Sequence, residues 1–119
     1  MNILIIDDSP NIRKALKKTL QSFIPEIEVY LESDDIKDAI TKIESEKPDL
    51  IILDLMLKSG TGLDLLKDIN LKNIRPLIIL YSNFLAKEYK AMARKFGVEE
   101  FFDKSDDITK LVEIIKKYV

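Results

Sequence analysis

Short, near-continuous apolar runs recur along this chain, and each leads into a stretch of helical periodicity. "NILII" (Asn2–Ile6), "DLIILDL" (Asp49–Leu55) and "PLIILYS" (Pro76–Ser82) are the clearest. A strand apolar at nearly every position is buried on both faces, and that happens when helices cover a parallel sheet from both sides. The segments between supply those helices. A helix is predicted from about Ser9 to Phe23, with Ile12, Ala15, Leu16, Leu20 and Phe23 on one face, Pro10 in its first turn and Pro25 past its end. Asp34 or Asp35 caps a second helix with Ile36, Ala39, Ile40 and Ile43 on one stripe. A short helix covers Leu63–Asn70, a fourth carries Tyr89, Met92, Ala93 and Phe96, and a last one carries Ile108, Leu111, Val112 and Ile115. Two further strands complete the set. Glu26–Leu31 alternates apolar and polar residues, which places it at a sheet edge, and "EEFFDK" forms the fifth strand; "MLKSGTG" is a loop. Five β–α units in 119 residues, without linker or repeat, predict an α/β fold, a doubly wound five-stranded parallel sheet forming one domain over residues 1–119.

Composition removes several function classes. With no cysteine and no histidine, disulfides, thiolate sites and histidine-based catalysis or metal binding are out of reach. Any metal must use oxygen ligands, which favours Mg²⁺, Ca²⁺ or Mn²⁺. A net charge of −2 argues against nucleic acid as the partner. No apolar run approaches the roughly 20 residues that span a bilayer, and no basic-then-apolar leader opens the chain, so a cytoplasmic protein is expected.

In open parallel sheets, ligands bind outside the carboxyl ends of the strands. Asp7 and Asp8 follow the first strand, Asp54 ends the third, Ser82 ends the fourth and Lys104 follows the fifth. Singly, Asp8 or Ser9 reads as a helix cap, Asp54 as a loop residue, Ser82 as a turn residue and Lys104 as a solvated lysine. Two adjacent carboxylates repel unless a cation lies between them. Three clustered carboxylates suit Mg²⁺ with a phosphate oxygen, one carboxylate can act as a nucleophile, and a lysine and a hydroxyl can hold phosphoryl oxygens. Glu32–Ser33, at the end of the second strand, finds no place in this site.

"LIIDDSPNIRKAL", "PDLIILDLML", "LIILYSN" and "EFFDKS" together resemble the receiver domain of bacterial response regulators, over essentially the whole chain. The resemblance implies a flavodoxin-like (βα)5 fold with strand order 2-1-3-4-5. It implies that Asp54 is the phosphoacceptor, that Mg²⁺ is held by Asp7, Asp8, Asp54 and the backbone carbonyl of Met56, that Ser82 and Lys104 assist, and that Ser82 and Phe101 form the switch. It implies a histidine kinase or histidine phosphotransfer protein as donor and a downstream protein target on the face of helix four, strand five and helix five, with no nucleic-acid or membrane partner. On this reading the chain is a signalling domain that catalyses its own phosphorylation and dephosphorylation rather than an enzyme. The basic faces Arg13, Lys14, Lys17, Lys18 and Lys87, Lys90, Arg94, Lys95 are expected to meet partners. Gly62 matches the family's loop glycine. Three positions depart from the pattern: Lys58 and Ser105 stand where proline is usual, and Asn83 where a small residue is usual. A non-proline cis bond costs about 3 kcal/mol, so Lys104–Ser105 is either trans or strained. The alternative reading is a receiver-like protein-binding module that signals without phosphorylation. A flavin carrier on the same architecture is disfavoured, because Asp7–Asp8 repels a phosphate in the absence of metal.

Overall fold

The computed structural model describes residues 1–83 and 85–119. Strands β1 (Asn2–Ile6), β2 (Val29–Ser33), β3 (Leu50–Leu53), β4 (Leu77–Ser82) and β5 (Glu100–Asp103) alternate with helices α1 (Pro10–Phe23), α2 (Ile36–Glu46), α3 (Gly62–Leu71), α4 (Lys87–Lys95) and α5 (Ile108–Lys116). The strands form one parallel sheet in the order β2-β1-β3-β4-β5, the expected flavodoxin-like arrangement.

The apolar runs are continuous because successive side chains enter different cores. Leu4, Ile6, Ile51, Leu53, Ile78 and Leu80 pack in one cluster with residues of α2, α3 and α4. Ile3, Ile5, Leu50, Ile52, Ile79 and Tyr81 pack in the other with α1 and α5. Burying such a side chain contributes about 1.5–3 kcal/mol, so the central strands anchor the fold. Ser9 caps α1 by accepting a hydrogen bond from the Ile12 amide, and Asp35 caps α2 through the Asp38 amide.

Three local expectations need correction. The edge strand runs from Val29 to Ser33, later than the predicted Glu26–Leu31. Residues 25–26 form a turn, and pairing with β1 from Asn2↔Val29 to Ile6↔Ser33 sets the bounds; Ile27 fills the core from the approach to the strand. Ala15 and Phe23 lie on the outer side of α1 and Met92 on that of α4, since the buried stripes are narrower than periodicity suggested. Finally, the loop after β3 contains a small antiparallel ladder, Met56–Leu57 against Gly60–Thr61, that folds it back on itself.

Candidate functional site

Sheet hydrogen bonding continues one residue past the strand ends. The Asp7 amide donates to Ser33 O at 3.0 Å, the Asp54 amide to Ile6 O at 2.9 Å and the Lys104 amide to Ser82 O at 3.1 Å. These bonds carry the register of the core to the rim and set Asp7, Asp54, Ser82 and Lys104 together at the carboxyl edge. Asp7, Asp54 and Ser82 are all buried there.

The chain itself supplies a cation at the rim, between Asp7 and Asp54 rather than between the adjacent Asp7 and Asp8. Lys104 Nζ lies 2.7 Å from Asp7 Oδ2 and 2.9 Å from Asp54 Oδ2. Burial alone would lower the Lys104 pKa, but hydrogen bonds to Asp7 and Asp54 and the charge of both carboxylates outweigh it and raise it. The amine also sits 5.2 Å from the centroid of the Tyr81 ring, which stacks on Phe102 at 5.3 Å. Burial is the main reason the Tyr81 phenol is raised. The second oxygen of each carboxylate takes a local amide: Asp7 Oδ1 accepts from Ser9 N at 2.8 Å, and Asp54 Oδ1 from Met56 N at 3.2 Å.

Asp8 is arranged differently. Its Oδ2 accepts from the Lys58 amide at 2.7 Å, tying the acidic pair to the loop after β3. Among the described residues, no three acidic side chains converge tightly enough to enclose a metal ion as they stand. The donor chemistry nevertheless suits one. Three carboxylates and one ammonium leave two negative charges uncompensated, all donors are hard oxygens, and the buried pair already holds a cation between its members.

Gly62 is required by close approach. A Cβ there would lie 2.9 Å from the Asp54 carbonyl oxygen and 3.1 Å from the Leu53 side chain, so α3 starts directly beneath the rim. The Lys104–Ser105 peptide is trans, since no described residue has a cis bond; the Asp103 carboxylate holds Ser105 through its amide at 2.9 Å and its hydroxyl at 2.8 Å. Phe101 is half-buried, with the Arg94 guanidinium 5.0 Å and the Lys90 amine 5.9 Å from its ring centroid. Lys58 and Asn83 are exposed.

Two residues beside the site escaped the sequence reading. Arg13, grouped with the exposed basic face of α1, turns inward: its Nη1 donates to the Asp7 carbonyl and its Nε pairs with Glu32 Oε1 at 3.1 Å. Glu32, which seemed to have no place, is thus one step from Asp7. An arginine one turn into the helix that follows an acidic pair, opposite a carboxylate at the end of the edge strand, was the available signal.

The chain matches the family described as response regulator receiver domain over residues 3–116. It is 28% identical over 120 residues to the sensory transduction protein LytT of Enterococcus faecalis, covering 98% of this chain and 48% of that protein. It is 34% identical over 119 residues to a protein-glutamate methylesterase/protein-glutamine glutaminase of Carboxydothermus hydrogenoformans, covering 98% of this chain and 34% of that protein. It therefore spans half or less of the length of these relatives. Among solved structures, a DNA-binding response regulator of the LuxR family from Staphylococcus aureus superposes with a TM-score of 0.88 at 28% identity, covering 98% of this chain and 96% of that one.

Proposed function

The chain belongs to the response regulator receiver domain family of two-component signal transduction, and from that premise we propose that it takes a phosphoryl group onto Asp54 and thereby switches a protein-binding surface. The single observation that carries this reading is the Asp7–Lys104–Asp54 bridge, a buried nucleophile candidate held beside a second carboxylate and a cation at the carboxyl rim. The donor is a histidine kinase or a histidine phosphotransfer protein. An Asp54 carboxylate oxygen forms the new bond to phosphorus as the donor's nitrogen–phosphorus bond breaks, and water later hydrolyses the acyl phosphate. Both reactions act on the domain's own aspartate, so residues 1–119 are read as one signalling domain rather than an enzyme with a separate substrate.

Asp7, Asp8, Asp54 and the Met56 carbonyl are the groups that would hold Mg²⁺. When bound, it neutralises charge on the phosphoryl oxygens. Lys104 gives up its contact with Asp54 and takes a phosphoryl oxygen, and the Ser82 hydroxyl donates to another. Phe101, three residues before Lys104 on the chain, passes the change to the face made by α4, β5 and α5, where a downstream protein docks. The net charge of −2 supports protein over nucleic-acid partners. No described helix is long and apolar enough to cross a membrane, and a cytoplasmic setting is part of the proposal.

The test is incubation with Mg²⁺ and acetyl phosphate followed by intact mass. The parent should gain one phosphoryl group and Asp54→Asn should gain none. An equal gain in Asp54→Asn would move the acceptor elsewhere. No gain in the parent, under conditions that phosphorylate a known receiver, would leave the phosphorylation-independent binding module as the reading.

A further inference from the structure

We propose that Arg13 is a positioning residue for the acidic pair: anchored by Glu32, its guanidinium fixes the plane of the Asp7–Asp8 peptide and so the direction in which Asp8 faces the rim. The proposal rests on the reading of Asp7 and Asp8 as metal ligands. Asp7 is the first residue beyond β1, where regular pairing ends. Its amide is still tied to the edge strand through Ser33 O at 3.0 Å. Its carbonyl is held by Arg13 Nη1, while Arg13 Nε is held by Glu32 Oε1 at 3.1 Å. Both sides of Asp7 are thus fastened to β2, one directly and one through Arg13. The carbonyl belongs to the planar unit that also carries the Asp8 nitrogen, so fixing it fixes the start of Asp8.

The geometry separates this role from an ordinary surface ion pair, which contributes little. The Arg13 side chain is only 15% exposed, against 39% for Glu32. Its two bonds use different nitrogens of one rigid fork and reach two different segments, β2 and the loop that follows β1. Its own position is set by the first turn of α1, where the Arg13 amide donates to the carbonyl of the capping residue Ser9 at 3.1 Å. A lysine offers a single rotatable ammonium in place of that fork, so it can satisfy Glu32 or the Asp7 carbonyl but does not reproduce the arrangement. Arg13 bonds the carbonyl of the peptide between the two proposed ligands, so its role is to position them rather than to bind metal. Groups that orient metal ligands in this way typically change metal affinity by about 10–100-fold when removed.

The experiment compares the full chain with Arg13→Met, Arg13→Lys and Glu32→Gln. Mg²⁺ titrations are followed by the Asp8 and Ser9 amide resonances, acetyl phosphate-driven mass gain is timed, and thermal melts are run in chelator. Arg13→Met should weaken Mg²⁺ binding by about tenfold or more, slow mass gain, and shift both amides before metal is added. Arg13→Lys should recover melting temperature without recovering Mg²⁺ affinity, and Glu32→Gln should give a smaller loss of the same kind. Unchanged Mg²⁺ affinity in Arg13→Met, or full recovery by Arg13→Lys, would overturn the proposal. If Arg13→Met melts too low for titration, Arg13→Lys and Glu32→Gln decide it, and parent-like affinity in both overturns it. If the parent itself neither binds Mg²⁺ nor gains mass, the phosphoacceptor reading fails. The metal-free Asp8 and Ser9 shifts then judge the clamp alone, and their indifference to Arg13→Met overturns it.

Discussion

Lys104→Met removes the only cation paired with Asp7 and Asp54 among the described salt bridges and leaves two buried carboxylates facing each other. At 2.7 and 2.9 Å, each contact carries about 6 kcal/mol of attraction at an effective dielectric of about 20. Desolvation of all three groups opposes this. The side chains of Lys104, Asp7 and Asp54 are only 9, 3 and 10% exposed, and breaking a buried pair by removing one partner costs about 3–5 kcal/mol. At about 4 °C per kcal/mol for a chain of this size, the melting temperature in chelator should fall by about 12–20 °C. Adding Asp54→Asn to Lys104→Met should restore part of the loss by removing one unpaired charge. Mg²⁺ should rescue Lys104→Met more than it stabilises the parent, because in the parent the amine competes for the same carboxylates; at 100 times its Kd a ligand adds about 2.7 kcal/mol. The pH dependence has a definite sign. The folded pKa of Lys104 is raised, so the bridge contributes fully below the ordinary lysine value of about 10.4 and is lost as pH rises through the raised value. On the alkaline side, the gap between parent and variant should hold through neutral pH and close in strong alkali. Circular-dichroism melts in chelator and in Mg²⁺ make the measurement. A fall of under about 1 kcal/mol in chelator, within the range of an exposed pair, or equal Mg²⁺ stabilisation of both proteins, would refute the reasoning.

Gly62→Ala should destabilise the chain by about 1–3 kcal/mol and perturb Asp54, because the new methyl meets the Asp54 carbonyl oxygen at 2.9 Å; denaturant melts and the Asp54 amide resonance check both. Leu80→Ala, at a fully buried position, should cost about 2–5 kcal/mol in the same melts. Asp38 is held below its ordinary value chiefly by the Ser33 hydroxyl and next by Lys42, so its contribution is present above about pH 4 and lost as pH falls through the lowered value. Ser33→Ala should move the Asp38 carboxyl titration upward in NMR, and an unmoved titration would reject that cause. Arg94→Met should loosen Phe101 from α4 at a cost of about 0.5–1 kcal/mol, seen as a shifted Phe101 ring resonance and a slightly lower melt.

The sheet was legible because its physics is written in single residues. "LIIL" can be buried on both faces only if helices flank it, and the two cores take alternate members of each run. The bounds of β2 were not legible. They depend on where β1 ends, which alternation within residues 26–31 does not record. Nor was the ladder after β3, where Met56–Leu57 and Gly60–Thr61 are too short to show a period. The site divides in the same way. That Asp7, Asp54, Ser82 and Lys104 share a rim follows from strand order alone. That Lys104 bridges the two aspartates, Asp8 turns to the Lys58 amide and Arg13 turns inward depends on side-chain reach and competition for partners, which spacing does not encode.

Those contacts set the energy that the proposed switch has to find. Moving a two-state equilibrium from 1:99 to 99:1 needs about 5.5 kcal/mol of differential interaction. A contact from the Ser82 hydroxyl to a charged phosphoryl oxygen supplies about 1.5–3 kcal/mol. Phe101 is held in place by Arg94 and Lys90, each worth about 0.5–1 kcal/mol at an exposed site, and its departure forfeits both. Ser82 alone therefore falls short, and the balance has to come through Lys104. The Lys104 amide hydrogen-bonds Ser82 O at 3.1 Å, so the two groups that would grip the phosphoryl are already joined through the backbone. If the amine exchanged Asp54 for a phosphoryl oxygen, as proposed, β5 would receive the pull at the strand end three residues from Phe101. The same ion pair that stabilises the resting rim is thus the part whose rearrangement can drive the aromatic, and loosening Phe101 from Arg94 reduces the work required of it.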